Sequence, residues 1–367
     1  MSIATIAAIA TIIRRTGLAG LLVVAASATA VAQSGGEAPT LEGFEPRPAP
    51  TAMEASAARR ADRRPAAPGE LAAEEDTRVY GGTLADRGEY PYQVAVIQFA
   101  PDGKGYGLCG GSIIDRQWIL TAAHCAADNE GTPATPQQML VEIGTTRLQE
   151  GVQLDVAEVI VHPDYTSDWR GLEHDVALLK LREPIGATAV PVGGIRIAPT
   201  GYSPEPGPAI VTGWGQTDEA DDINPMDLRE AELQIVARDV CNAGWVGAYA
   251  EELAGVLVGV ANRAAIDPAR FQSVYDDLTG AMNGPITENM VCAGVPSGER
   301  TACHGDSGGP LVVRQADGGL LQVGVVSWGH KPVSYTPRMP CGMPNTYGVF
   351  VNLANYFDWI AGHVRGG

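Results

Sequence analysis

Basic residues are scarce in this chain. Against 43 Asp and Glu stand 25 Lys and Arg, a formal net charge of -18 over 367 residues. Nucleic acids and anionic membranes are bound through basic surface that displaces counterions, so this balance argues against both as partners. The apolar run Leu18–Ala32 is shorter than the roughly 20 residues that cross a bilayer. No CxxC pair occurs among the six cysteines, which removes the usual spacing of a zinc site. Residues 33–78 contain no cysteine and almost no large apolar side chain. Such a segment cannot bury enough surface to offset its ordering entropy, so a largely disordered leader is expected there.

The run Leu18–Ala32 ends in Ala30-Val31-Ala32, a small-x-small cleavage pattern, and follows Arg14 and Arg15. Residues 1–32 therefore read as an export signal, with twin-arginine export as a poorer fit to the Arg pair. Ser2–Ile13 is apolar too, so either the signal is long or the true start lies downstream. The expected location is secreted or periplasmic, with no membrane contact once the signal is removed.

The rest, 45% hydrophobic and 19% charged overall, has the composition of a globular protein with a core. From Tyr92 onward, short apolar or alternating runs are separated by Gly and Pro: YQVAVIQF, CGGSIID, WILTAAHC, MLVEIG, QLDVAEVIVH, VALLKL, AIVTGWG, REAELQIV, PLVVRQ, LLQVGVVSWG and GVFVNL. In REAELQIV, Ala231, Leu233 and Ile235 share one face and Glu230, Glu232 and Gln234 the other, as a half-buried strand requires. About a dozen such strands with few helices imply antiparallel barrels or a sandwich. The cysteines (Cys109, Cys125, Cys241, Cys292, Cys303 and Cys341) all fall in this part, and an even count in an exported chain argues for disulfides. Their spacing leaves the pairing open. A closed loop from Cys109 to Cys125 would contribute about 3 kcal/mol by restricting the unfolded chain.

In TACHGDSGGP, Ser307 sits between Asp306 and two glycines, just after Cys303. A serine hydroxyl is a weak nucleophile unless a base removes its proton, and histidine is the usual agent. Of six histidines, His124 in WILTAAHC follows an apolar strand and is anchored by Cys125. A base of this kind must be held in one tautomer by a buried carboxylate. Asp175 in HDVALLKL stands where the chain enters the core, and an ionised group there is costly to bury without a partner.

TAAHC, HDVALLKL and GDSGGPL, in that order, resemble the three signature blocks of the chymotrypsin-like (trypsin fold) serine endopeptidases, which work through a Ser-His-Asp triad. The resemblance runs from about Val79 to Val364 and includes WGQT, VSWG and a terminal helix at NYFDWI. It implies an all-β fold of two antiparallel six-stranded β-barrels with a C-terminal helix, over residues 79–367. It further implies that Ser307 attacks the scissile carbonyl, His124 carries the proton and Asp175 orients His124. The N–H groups of Gly305 and Ser307 would form the oxyanion hole. The implied disulfides are Cys109 with Cys125, Cys241 with Cys292, and Cys303 with Cys341.

By the same resemblance TRVYGG is an activation junction, and residues 33–78 a propeptide. Cleavage after Arg78 would free the amine of Val79 to pair with Asp306, although Tyr80 replaces the usual small aliphatic residue. The primary pocket would have Thr301 at its base and Ser327, Trp328, Gly329 and Gly348 along its walls, with His304 at its mouth. A neutral base and small walls imply large apolar or aromatic side chains at P1; trypsin-like or broad specificity is the alternative.

The stretch between Cys241 and Cys292 is longer than the family normally has. Trp245, Tyr249, Leu253, Val256 and Val260 recur at helical spacing, and IDPARFQSVYDDLTG offers Asp267 as N-cap, Pro268 in the first turn and Gly280 as stop. Two short inserted helices are expected over about 243–286, either packing on the barrel or bordering the cleft. Calcium would need several oxygens, and TTRLQEGVQ supplies only Glu150, so no metal or cofactor is expected. The expected partners are protein or peptide substrates and an activating protease, with the enzyme itself a monomer. A non-catalytic binding module on the same scaffold, or an esterase, uses the same framework and stays open at this level.

Overall fold

The computed structural model describes residues 81–100, 105–128, 130–168, 171–186, 192–217, 225–329 and 341–366. The export signal, the leader and the junction residues Arg78 and Val79 lie outside the described residues.

Twelve strands make two closed barrels. The first uses β1 (Gln93–Phe99), β2 (Tyr106–Asp115), β3 (Trp118–Thr121), β4 (Met139–Ile143), β5 (Val152–Val161) and β6 (Ala177–Leu181). The second uses β7 (Gly207–Gly213), β8 (Arg229–Val236), β9 (Met290–Gly294), β10 (Pro310–Arg314), β11 (Leu320–Trp328) and β12 (Gly348–Asn352). Around the first barrel the order is β1-β2-β3-β6-β5-β4, closed by β4 on β1. The second repeats it as β7-β8-β9-β12-β11-β10, closed by β10 on β7. Every one of these ladders is antiparallel, so no barrel edge is left unpaired.

Strand alternation follows the residue pattern. In β8 Ala231, Leu233 and Ile235 are buried while Glu232 and Gln234 are exposed. Val94, Val96, Ile113, Ile119, Val141 and Leu179 fill the first barrel. Val211, Leu233, Leu311, Val323 and Phe350 fill the second. Each barrel thus removes its apolar face from water, at about 25 cal/mol for each Å² buried.

The seam between the barrels is polar as well as apolar. Thr212 Oγ1 donates to Gln93 Oε1 (2.6 Å), and Ser112 Oγ donates to Gln322 Oε1 (2.7 Å), both buried. Tyr90, Tyr92, Trp214 and Leu228 pack alongside. The C-terminal helix (Phe357–Gly366) follows a 3-10 turn at Leu353–Asn355 and packs Ile360 against Trp118, Leu120 and Leu178 of the first barrel.

The insertion departs from the expected pair of short helices. α1 (Arg238–Ala264) begins before Cys241 and runs 27 residues, about 40 Å at 1.5 Å per residue. No proline interrupts it until Pro268, and its glycines alone do not stop it. It ends at Ala265, whose φ of 50° is left-handed. α2 (Pro268–Gly280) starts as expected: Asp267 accepts from the N–H groups of Ala269 (2.9 Å) and Arg270 (3.2 Å). The apolar stripe of α1 divides between two neighbours. Trp245 and Tyr249 pack on the second barrel with Ile286, Tyr347 and Val349, whereas the distal turns pack on α2 and leave Val256 (49%) and Val260 (51%) half exposed. Among the described residues, no helix is long and apolar enough to cross a membrane.

Candidate functional site

His124 lies in a single 3-10 turn, Ala123–Cys125, just after β3. That turn is pinned by the Cys109–Cys125 disulfide, which ties it back to β2. Asp175 stands two residues ahead of β6, next to β3 in the barrel, so the ladder brings the two side chains together. His124 Nδ1 lies 2.8 Å from Asp175 Oδ2, and the His124 backbone N–H donates to Asp175 Oδ1 at 2.8 Å. With the carboxylate on Nδ1, the ring presents Nε2 as its free nitrogen.

Asp175 is buried (1% exposed) and its carboxylate receives a third donor, Ser327 Oγ, at 2.5 Å. Burial opposes its charge. The adjacent His124 ring and the hydrogen bonds from His124 and Ser327 outweigh that and hold Asp175 below the ordinary carboxylate range. Ser327, expected as a pocket wall, therefore directs its hydroxyl to the carboxylate. No local pattern announces this bond, because the two residues are 152 apart along the chain.

Ser307 lies in the turn before β10, on the second barrel. Its carbonyl accepts from Gly110 N–H of β2 at 2.7 Å, across the seam. Gly305 (φ 101°) and Gly308 (φ 80°) both take left-handed backbone that side chains rarely adopt. A Cβ at Gly308 would also collide with Thr121 Oγ1 and with Gly110 O. The serine turn thus rests on the strand end that leads into His124. Among the described residues no hydrogen bond joins Ser307 Oγ to His124 Nε2, which lies 3.7 Å from Cys125 Sγ. Such bonds are often long in free sites and tighten around substrate. The N–H groups of Gly305 and Ser307 have no acceptor among the described residues.

Asp306 turns its carboxylate to the end of β7, where a Cβ at Gly213 would strike it. It is fully buried and accepts from the N–H groups of Gly215 (2.7 Å) and Cys303 (2.8 Å). Burial pushes its carboxyl up to about 6, against those two bonds. Gly81, the first described residue, packs so tightly that a Cβ there would strike the Glu299 carbonyl and the Arg300 side chain. The chain just past the expected junction is therefore held against the loop that leads to Thr301.

Thr301 is buried and faces Gly348: a Cβ at Gly348 would sit 3.2 Å from Thr301 Oγ1. Among the described residues no atom lies within 4 Å of where a Gly329 Cβ would stand, and His304 is exposed with its carbonyl accepting from Gln216 N–H at 2.7 Å. Trp328 meets the insertion: its ring lies 5.1 Å from that of Trp245. The Cys303–Cys341 and Cys241–Cys292 disulfides close the loops on either side, with Cα separations of 5.2 and 6.3 Å.

The sulfurs of Cys109 and Cys125, which lie near His124, are bonded to each other and so do not form a set of free metal ligands with it. Glu150, weighed as a calcium ligand, is held by Arg147 (3.5 Å), which also grips Asp227 through Nη1 (2.7 and 2.8 Å). A guanidinium already supplies positive charge there.

A family profile described as Trypsin matches residues 79–360. The human Transmembrane protease serine 7 is 32% identical over 293 residues, 78% of this chain and 28% of its own length. The mouse Vitamin K-dependent protein C is 31% identical over 305 residues, 79% of this chain and 53% of its own. The chain thus spans from about a quarter to about half the length of these curated relatives.

Proposed function

Because the chain belongs to the trypsin family of serine proteases, we propose that it is an exported serine endopeptidase, made as an inactive precursor and cutting after large apolar or aromatic residues. The observation that carries the catalytic part is the triply held Asp175 on His124 Nδ1, beside a serine turn that leaves two N–H groups without acceptors among the described residues.

The chemistry follows from that arrangement. Ser307 Oγ attacks the carbonyl carbon as its proton passes to His124 Nε2. Asp175 stabilises the imidazolium without taking the proton itself. The oxyanion is received by the Gly305 and Ser307 N–H groups, each such donor typically being worth about 3 kcal/mol. His124 then protonates the departing amine, leaving an acyl group on Ser307 that water removes by the same steps. Activation rests on Asp306: cleavage after Arg78 by an activating protease frees the Val79 amine. A buried acid with two N–H bonds, and no cation bonded to it among the described residues, would take that amine. The neutral Thr301 base and the absence of side chains at Gly329 and Gly348 support the apolar preference.

A serine-directed phosphonate should label Ser307 in the processed chain and fail to label the Ser307→Ala variant. Labelling elsewhere, or none, would defeat the protease reading in favour of a binding module. A peptide panel decides specificity, and strong preference for Arg at P1 would overturn the neutral-pocket assignment.

A further inference from the structure

The segment that delivers Asp175 is gripped from its far side by two histidines that the reaction does not use. His174 precedes Asp175 with left-handed backbone, φ 52°, an uncommon state for a residue with a side chain. Its carbonyl accepts from Val176 N–H at 2.8 Å, so Asp175 is the apex of a three-residue turn. His162, just past β5, holds both shoulders of that turn. Its N–H donates to the Val176 carbonyl at 3.1 Å, and its ring stacks on His174 with centroids 5.2 Å apart and planes 8° from parallel. Tyr356 and Trp359, at the C-terminal helix, close the stack from the side at 5.2 and 5.0 Å from the His162 ring. Tyr356 Oη lies 3.0 Å from His174 Nδ1.

The protonation state of His162 can be read from its partner. Asp164 N–H, a donor only, points at His162 Nδ1 at 3.2 Å, so that nitrogen carries a lone pair and the ring is neutral. Protonation would remove this bond and place a cation face to face with a second imidazole. We propose that His162 and His174 form a protonation-sensitive brace that positions Asp175, so that protonating His162 opens the stack and loosens the carboxylate from His124. This rests on the assignment of Asp175 as the acid that orients His124.

The surrounding charges favour the neutral ring. Burial holds His162 below its ordinary value, His174 and His363 add to that, and Asp164 opposes it. Glu173, beside His174, is engaged elsewhere, accepting from Thr287 Oγ1 (2.9 Å) and Asn289 Nδ2 (2.7 Å). Asp175 itself is committed to His124 and Ser327. Burial pushes the hydroxyls of Tyr356 and Tyr165 up, so both stay uncharged through neutrality. A histidine depressed in the fold binds protons more tightly when released. Its stabilising contribution is therefore complete above 6.5 and is lost as pH falls below that value.

The test compares the processed protein with His162→Phe, which keeps a flat ring and cannot titrate. The acid limb of kcat/KM for a small peptide substrate should fall more steeply than one proton allows in the original and with one-proton steepness in His162→Phe, the two agreeing within about twofold at alkaline pH. Unchanged steepness in a folded His162→Phe variant overturns the brace. Two measurements on Ser307→Ala need no activity and no destabilising change in the brace. The His162 ring signal should titrate below 6.5 by NMR, and the Asp175 environment should shift with the same midpoint; a His162 titration at or above 6.5 also overturns it. A chain without proteolytic activity would defeat the protease reading, and the NMR titration would still decide the brace.

Discussion

Ser327 Oγ and His124 Nδ1 converge on one atom, Asp175 Oδ2, at 2.5 and 2.8 Å. Ser327 belongs to the second barrel and the other two to the first, so the carboxylate is held by both halves of the molecule. Ser327→Ala removes one charge-assisted bond, a loss of about 1.5 kcal/mol, or about tenfold. That loss should fall on kcat with KM nearly unchanged. Steady-state kinetics on a single peptide check it, and a pure KM effect would show that the hydroxyl serves the pocket instead.

The proposed activation should show itself in stability through Asp306. Its carboxyl is raised from 3.8 to about 6 in the uncleaved chain, so the folded state binds the proton more tightly than the unfolded one. The corresponding stability is complete below the lower value and is lost as pH rises through about 6, a span of about 3 kcal/mol at 1.36 kcal/mol per unit. Thermal unfolding of uncleaved Ser307→Ala should show this loss. In chain cut after Arg78 it should vanish, because the Val79 ammonium would hold Asp306 ionised. Arg78→Ala should stay inactive, and full activity in that variant would refute this route.

A side chain added at Gly348 would meet the Thr301 hydroxyl at 3.2 Å, then the Ala293 carbonyl and the Phe350 ring, both at 3.4 Å. Gly348→Val should fill the space above Thr301. Cleavage after Phe and Tyr should fall by about a hundredfold relative to cleavage after Ala, since the isopropyl group takes up space that a large side chain needs and one methylene of misfit is worth about 1 to 3 kcal/mol. A substrate panel measures the ratio.

Trp245 is fully buried with its ring 5.1 Å from that of Trp328, so the insertion touches a residue of the proposed pocket wall. Trp245→Phe keeps most of the apolar contact and shortens the reach to Trp328. It should lower kcat/KM several-fold for long peptides while sparing short ones, with a stability loss of about 1 to 3 kcal/mol. Equal losses for both lengths would confine Trp245 to packing.

Most of the framework was legible because a barrel strand writes its period of two into the chain. Eleven of the twelve barrel strands coincide with apolar runs picked out by pattern. The twelfth, Met290–Gly294, is five residues ending in Ala-Gly, too short and too small to announce itself. The insertion was legible as helix but not in extent: spacing marks a face, and nothing in Arg238–Ala264 marks an end before Ala265. At the site, single residues in distinctive contexts (His124, Asp175, Ser307) could be singled out. The Ser327 bond and the His162–His174 stack could not, since both join residues through tertiary geometry rather than through local sequence.

The two barrels follow one winding order, yet neither carries all the groups of the proposed reaction. One contributes His124 and Asp175, the other Ser307, Ser327 and the Thr301 pocket, and Gln93–Thr212 and Ser112–Gln322 rivet them together. The joint is therefore the alignment jig of the molecule. Slippage there of a fraction of an ångström would silence it while both halves remained intact, so loosening either rivet should cost turnover sooner than it costs melting temperature.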